Sequence, residues 1–187
     1  ENKKNPIDCC LLCSLIKIKR IPIKIEVLLR ALVEKKYLSG GLWNDQIEKV
    51  MRRYKQFKGV ISADEVNSIP ADPNQPFGCI MNLSKKRSKG SHWVAIYIDP
   101  QESIEYYDSF AEPPSHDFMK RIKKLVEKIK PDVYLKFKFN NIKHQSVNSA
   151  NCGFFAIKFL MDRFEGISES IKWIQQSCEK RERNWKV

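Results

Sequence analysis

Residues 148–160 read NSANCGFFAIKFL, a polar, turn-prone start that runs straight into an apolar helical pattern with Cys152 at the junction. A cysteine attacks as the thiolate, and a helix N-terminus favours that anion through its unpaired N–H groups and its dipole. Asn148, Ser149 and Asn151 end or cap a helix rather than continue one, so Cys152 is expected in the first turn. Gly153 removes a side chain beside the sulfur and leaves room for the backbone of a substrate. A small hydrophobe that merely begins a helix would read the same way. The apolar half, with Phe155, Phe159 and Leu160, is read as the core stripe of that helix.

A nucleophilic thiol needs a base, and there are only three histidines to supply one. His116 follows a Pro-Pro loop and precedes a helical pattern, which suits a surface or capping role. His144 lies in a loop with no carboxylate close in sequence. His92 opens HWVAIYID (92–99), and SIEYYDSF (103–110) follows after PQE. The two runs read as a β-hairpin turning near Pro100 and Gln101. Antiparallel pairing about that turn places Asp108 opposite residues 93–94, within reach of His92. A carboxylate there would fix the imidazole tautomer and stabilise the imidazolium. An ordinary pair at the end of two surface strands has the same signature. Gln145 lies seven residues before Cys152. Its side-chain amide, with the backbone N–H of Cys152, would serve a developing oxyanion. A solvated loop glutamine is the ordinary alternative.

Several elements must position these groups. Ile25, Leu28, Leu29, Leu32 and Val33 have helical spacing, ended by Gly40 and Gly41. Asn44 or Asp45 can cap a second helix that carries Ile47, Val50, Met51 and Tyr54. IPADPNQP (69–76) is a loop, and FGCIMNL (77–83) a buried strand. Phe118, Ile122, Leu125, Val126 and Ile129 form a helix stripe that Pro131 stops. VYLKFKFN (133–140) alternates as a strand with Val133, Leu135, Phe137 and Phe139 on one face, and a last helix holds Ile171, Ile174 and Cys178. The order predicts an α+β fold, a mixed central β-sheet flanked by helices, in one domain over 1–187 with a helical N-terminal part over 1–60.

Length and composition agree: 187 residues with 42% hydrophobic and 11% aromatic suit a folded chain with a sizeable core. No apolar run approaches the roughly 20 residues that span a bilayer. The start NKKNPIDCCLLCSLI places lysines before an apolar stretch, but Asp8 interrupts it and charged KIKR follows, so no signal peptide and no membrane partner is expected. Of the six cysteines, Cys9, Cys10 and Cys13 cluster, while Cys79, Cys152 and Cys178 stand apart in apolar surroundings. That pattern suits reduced thiols in an intracellular, reducing setting. Cys10 and Cys13 make a lone CxxC with no second pair and no histidine nearby, so no metal site is expected. The net charge of +12 favours polyanions. Lys85, Lys86, Arg87 and Lys89 fall within seven residues, and His116 to Lys143 holds nine bases against three acids. A DNA-binding patch and a solvated lysine-rich face fit this equally well.

His-Trp opening a strand, an acid ending the next, then Gln, then Cys-Gly on a helix resembles the cysteine proteases of the adenovirus-protease and Ulp1-like superfamily. The matching stretches are GSHWVAIYID, IEYYDSF and HQSVNSANCGFFAIKFL, over roughly 77–165. LWNDQIEKVM (42–51) looks like the tryptophan-led helix start of the Ulp1-like branch. The resemblance implies Cys152 as nucleophile, His92 as base then acid, Asp108 as orienter and Gln145 as oxyanion donor. It places Trp43, Asp45 and Trp93 near a narrow substrate channel that favours glycine before the scissile bond; core packing and helix capping are the ordinary alternatives. No cofactor is required for such chemistry, and DNA or a peptide is a candidate activator. NSANCG and YDSFAEPP look more like the viral branch, including virophage and Polinton-type proteases. Asp108 and the WND stretch look more Ulp1-like. The expected protein is a monomeric maturation protease of virion and infected cell, acting on structural precursor proteins. A deubiquitinase or deSUMOylase is the alternative, and a basic DNA-binding protein on an inactive protease scaffold is the remote one. A cysteine tether for an activating peptide, as in adenovirus protease, is in doubt, because no cysteine lies between Cys79 and Cys152.

Overall fold

The computed structural model describes residues 41–87, 90–131 and 135–166. The helices expected around 25–33 and 171–178, and the CxxC, lie outside the described residues. The elements run α1 (Asn44–Met51), β1 (Phe57–Ser62), a 3₁₀ segment (Ala63–Ser68), β2 (Phe77–Asn82), β3 (Trp93–Asp99), β4 (Ser103–Tyr107), α2 (His116–Ile129), β5 (Lys136–Phe139) and α3 (Cys152–Phe164). The strands form one sheet in the order β1-β2-β3-β4-β5. β2, β3 and β4 are antiparallel neighbours, while β1 and β5 add parallel strands at the edges. This is the mixed sheet with flanking helices that the sequence predicts.

Both faces of the sheet are covered, which is why its middle strands read as nearly continuous apolar runs. Trp93, Ala95 and Tyr107 pack with α1 and α3, against Ile47, Met51, Phe154, Ile157 and Leu160. Val94, Ile96, Ile98, Ile104 and Tyr106 pack with α2 and the 3₁₀ segment, against Phe118, Ile122, Leu125 and Val66.

The β3–β4 hairpin has the expected register. Asp99 pairs with Ser103 and Ala95 with Tyr107. Asp99 closes the turn, accepting from Glu102 N–H on its carbonyl (3.1 Å) and from Gln101 N–H on its carboxylate (2.9 Å). α2 begins where Ser115 Oγ accepts from Phe118 N–H at 3.2 Å. His116 is its exposed first residue, as its sequence context suggests.

Local details depart from the sequence expectations. The N-cap of α1 is Trp43, not Asn44 or Asp45, because Gln46 reaches back and accepts from Trp43 N–H at 2.9 Å. Tyr54 falls beyond that helix, and its hydroxyl donates to Glu165 at 2.8 Å. β1 had no sequence assignment; FKGVIS is short, carries Gly59 at φ +101°, and is held by pairing with β2. β4 stops at Tyr107 rather than Phe110. On α3, Phe154 rather than Phe155 is the buried aromatic of the first turn.

One close approach sets the height of α3 over the sheet. A Cβ added at Gly78 in β2 would lie 2.7 Å from Leu160 Cδ2 and 2.9 Å from the carbonyl oxygen of Ile96. Leu160 could shift, but the neighbouring strand's backbone cannot. Gly78→Ala is therefore expected to lower unfolding stability by about 1–3 kcal/mol, the usual cost of overpacking. Denaturant unfolding checks this, and an unchanged midpoint would show that α3 does not rest on that glycine.

Candidate active site

Cys152 is the first residue of α3, with Asn151 as N-cap. Asn151 O accepts from Phe154 N–H (3.0 Å) and Phe155 N–H (3.2 Å), which starts the helix. Helix geometry leaves the N–H groups of Cys152 and Gly153 without intrahelical acceptors. The apolar run after Cys152 docks on the sheet, so the polar end of the helix stops at the sulfur. Cys152 is half-buried. Cys79, by contrast, lies wholly inside, where burial pushes its thiol up to about 12 and makes it inert.

His92 sits just before β3, and its backbone continues the β2 pairing through Leu83 N–H to His92 O at 3.0 Å. Asp108 sits just after β4. Their side chains meet at 2.8 Å, His92 Nε2–H donating to Asp108 Oδ1. A side-chain hydrogen bond also joins His92 to Cys152. Since Asp108 takes Nε2, Nδ1 is the nitrogen left for the thiol. Burial works against a charged imidazole here, but the Asp108 and Cys152 hydrogen bonds and charges outweigh it and raise the His92 pKa to about 9. His92 is thus protonated at neutral pH. Phe110 stacks on the imidazole with ring centroids 4.9 Å apart, and Lys143 lies 5.4 Å from the centre of the Phe110 ring.

Asp108 is only 1% exposed, so its polar atoms need partners. Oδ1 accepts from Phe110 N–H at 2.7 Å as well as from His92. Asn140 clips the Asp108 backbone, accepting from its N–H at 2.8 Å and donating to its carbonyl at 2.6 Å. Ala111 N–H donates to the same carbonyl at 2.9 Å, closing a turn in which Ala111 takes φ +60°.

Gln145 is buried in the loop before α3. Its Oε1 accepts from Ser109 Oγ–H at 2.6 Å, and its Nε2 donates to Ser149 O at 2.6 Å. The preceding His144 accepts from Tyr107 O–H on Nδ1 at 2.9 Å. Burial, then the charge of Lys158, lowers the His144 pKa and favours its neutral form. Burial also drives the Tyr107 hydroxyl well up, so it stays a donor.

The residues around the sulfur are differently disposed. Gly153 is buried, and a Cβ there would lie 3.1 Å from Leu42 Cβ and 3.2 Å from Trp93 Cδ1. Its close approach is to the protein's own core. Trp93 is buried among the core residues, and its indole N–H donates to Leu42 O at 2.9 Å. Gly41, at φ +77°, brings the same segment against Ala150, with a Cβ there 3.2 Å from Ala150 O. Trp43 follows Leu42 and is 69% exposed; Asp45 is exposed in the first turn of α1. In the basic stretch, Lys86 pairs with Glu65 at 2.5 Å and its N–H bonds to Asp64, so local acids offset part of that charge. Lys89 lies outside the described residues. Among the described residues, no group of three or more His, Cys, Asp or Glu side chains could hold a metal ion, and no helix is long and apolar enough to cross a membrane.

Sequence reasoning thus brought His92 and Asp108 together and set Cys152 at a helix start, but it left the burial of Gln145 open. It did not assign the supports. Ser109 stands inside the YYDSF run and Asn140 closes the alternating KFKFN run; each polar residue ends an apolar pattern, the one local signal available.

A thiol, an imidazole and a buried carboxylate in this order define a papain-like arrangement for acyl transfer. The model of the Ulp1 protease family, C-terminal catalytic domain, matches residues 79–185, more than half of the chain, and the chain belongs to that family of cysteine proteases. It is 31% identical over 102 residues to the SUMO-1 cysteine protease S273R of African swine fever virus, isolate Tick/South Africa/Pretoriuskop Pr4/1996. The cysteine protease S273R of the Badajoz 1971 Vero-adapted strain matches equally. That alignment takes in 51% of this chain and 37% of the relative, so the chain spans little more than a third of the length of these curated relatives. Two crystal structures of the African swine fever virus pS273R protease share the fold. One has TM-score 0.55 and 18% identity over 89% of this chain and 84% of that one; the selenomethionine form has TM-score 0.52 and 20% identity over 70% and 63%.

The His92 pKa carries a pH expectation. The imidazolium is lost as pH rises through about 9, so kcat/KM for peptide cleavage should fall on that limb. Asp108→Asn removes one of the two partners that raise it and should move the limb to lower pH. A limb that stays in place in the pH–rate profile would remove Asp108 as the cause.

Proposed function

We propose that this chain is a cysteine endopeptidase that cleaves viral structural precursor proteins during virion maturation. The observation that carries the reading is His92 held between the Asp108 carboxylate and the Cys152 thiol at the start of α3. In this proposal the Cys152 thiolate attacks the scissile carbonyl carbon. The oxygen takes the negative charge and is met by the Cys152 backbone N–H and a Gln145 Nε2–H. His92 Nδ1–H protonates the leaving amine, the C–N bond breaks, and an acyl-enzyme remains. His92, now neutral, takes a proton from water as it attacks, and the carboxylate product leaves as thiolate and imidazolium re-form.

The exposure of Trp43 next to Leu42, which packs at Gly153, supports a place for Trp43 and Asp45 along the substrate cleft. Trp93 would shape that cleft from beneath. Small residues such as glycine before the scissile bond suit the proposed channel. DNA or a peptide is the activator we put forward, with Lys85, Lys86, Arg87 and Lys89 as the DNA contact. Neutralising those four should weaken duplex DNA binding and flatten its salt dependence. Unchanged affinity at low salt would reject the patch.

A second reading has one observation in its favour: relatives bearing the name SUMO-1 cysteine protease. Under it the chain releases ubiquitin-like modifiers. Labelling of Cys152 by a modifier–vinyl sulfone probe would favour that reading. Cleavage of candidate capsid precursors, followed by mass spectrometry of the products, favours the first. Cys152→Ala and His92→Ala should each abolish cleavage in that assay while thermal unfolding stays near wild type, and His116→Ala should be silent. Full activity of Cys152→Ala would end the proposal. Gln145→Ala should cost roughly 10²–10³ in rate, the usual loss for one oxyanion donor.

A further inference from the structure

Gln145 could present its amide in two ways, and only one puts nitrogen where an oxyanion needs it. A primary amide has one oxygen acceptor and two N–H donors. Here Oε1 receives Ser109 Oγ–H at 2.6 Å and Nε2 gives one N–H to Ser149 O at 2.6 Å, leaving one N–H unassigned. Rotating the amide by half a turn would set Oε1 against the Ser149 carbonyl oxygen, acceptor facing acceptor. Ser109 secures the same residue from its backbone: its carbonyl accepts from both His144 N–H (2.9 Å) and Gln145 N–H (3.0 Å). Ser109 is 1% exposed and Gln145 is 3% exposed, so water does not substitute for these contacts.

We infer that Ser109 is a positioning residue for the oxyanion donor, its hydroxyl holding the Gln145 amide with the free Nε2–H presented to the reacting carbonyl. The inference rests on the proposed role of Gln145. Ser109 directly follows Asp108, so one dipeptide at the end of β4 orients both the imidazole and the oxyanion donor.

Ser109→Ala is a selective probe, because alanine keeps the carbonyl that receives the two backbone N–H groups and removes only the hydroxyl. With the full chain and a fluorogenic peptide amide ending in Gly-Gly, kcat should fall about tenfold, less than the loss of the donor itself, at unchanged KM. Affinity for the matching peptide aldehyde, whose adduct with the thiol carries a tetrahedral oxygen, should fall by a similar factor. Alkylation of Cys152 by iodoacetamide needs no oxyanion site and should keep its rate. In a Gln145→Ala background, Ser109→Ala should add nothing. Ser109→Cys keeps a weak donor and should fall between serine and alanine, which reads the same point should alanine fail to fold. Equal slowing of alkylation and hydrolysis, or additive losses beside a severe Gln145→Ala, would overturn the inference alone. A Gln145→Ala enzyme within a few-fold of wild type would overturn the role of Gln145 and the inference with it.

Discussion

Everything at this site depends on a buried carboxylate being satisfied. Asp108 lies where β4 leaves the sheet, almost wholly inside. An ionised carboxylate there would be costly without partners, and it finds them in a neighbouring imidazole and its own turn. One oxygen receives the imidazole N–H of His92 and the backbone N–H of Phe110. The backbone of the same residue is taken up by Asn140, whose amide stands in for a missing strand. The chain then has to turn at once. It does so with a non-glycine residue, Ala111, at φ +60°, a conformation that costs of order 1 kcal/mol or more and that the surrounding bonds hold in place.

The second requirement is the height and direction of α3. Its first turn presents the thiol, but its body is ordinary core. Leu160 fits over Gly78, and Gly153 fits over Leu42 and Trp93. Farther along, Arg163 bonds to Glu105 in the middle of β4, an ion pair between the helix and the strand that leads into Asp108. The helix that begins with Cys152 is therefore fixed by packing against β2, β3 and Leu42, and by charge against β4. Cys79 and Cys152 show what position does to one residue type. The first sits inside the sheet and is chemically silent; the second sits at a helix start facing an imidazolium.

Some of this was legible residue by residue, and for a reason. The PQE turn fixes the hairpin register, and register alone carries Asp108 to His92, because antiparallel pairing leaves no freedom once the turn is set. Asn and Ser before an apolar run mark the start of α3. Facing was less legible. Phe154 and Phe155 are adjacent and equally apolar, and the helical period accepts either as the inward one. The sheet beneath chose Phe154. Trp43 as N-cap was hidden because its partner is the side chain of Gln46 rather than a cap of its own. β1 was hidden because a short strand interrupted by Gly59 owes its conformation to β2.

The sequence by itself determined the sheet's central hairpin, the helix with Cys152 at its start, and the order of imidazole, carboxylate, amide and thiol along the chain. These follow from local rules: turn chemistry, alternation and capping. Only the tertiary structure decided that Gly153 makes room for Leu42 and Trp93, that Asn140 clips Asp108, and that Ser109 grips Gln145. No local period encodes such pairs, since Asp108 and Asn140 are 32 residues apart and Ser109 and Gln145 36. They form because a buried polar atom must find a partner, and the partner is whichever residue the fold brings within about 3 Å.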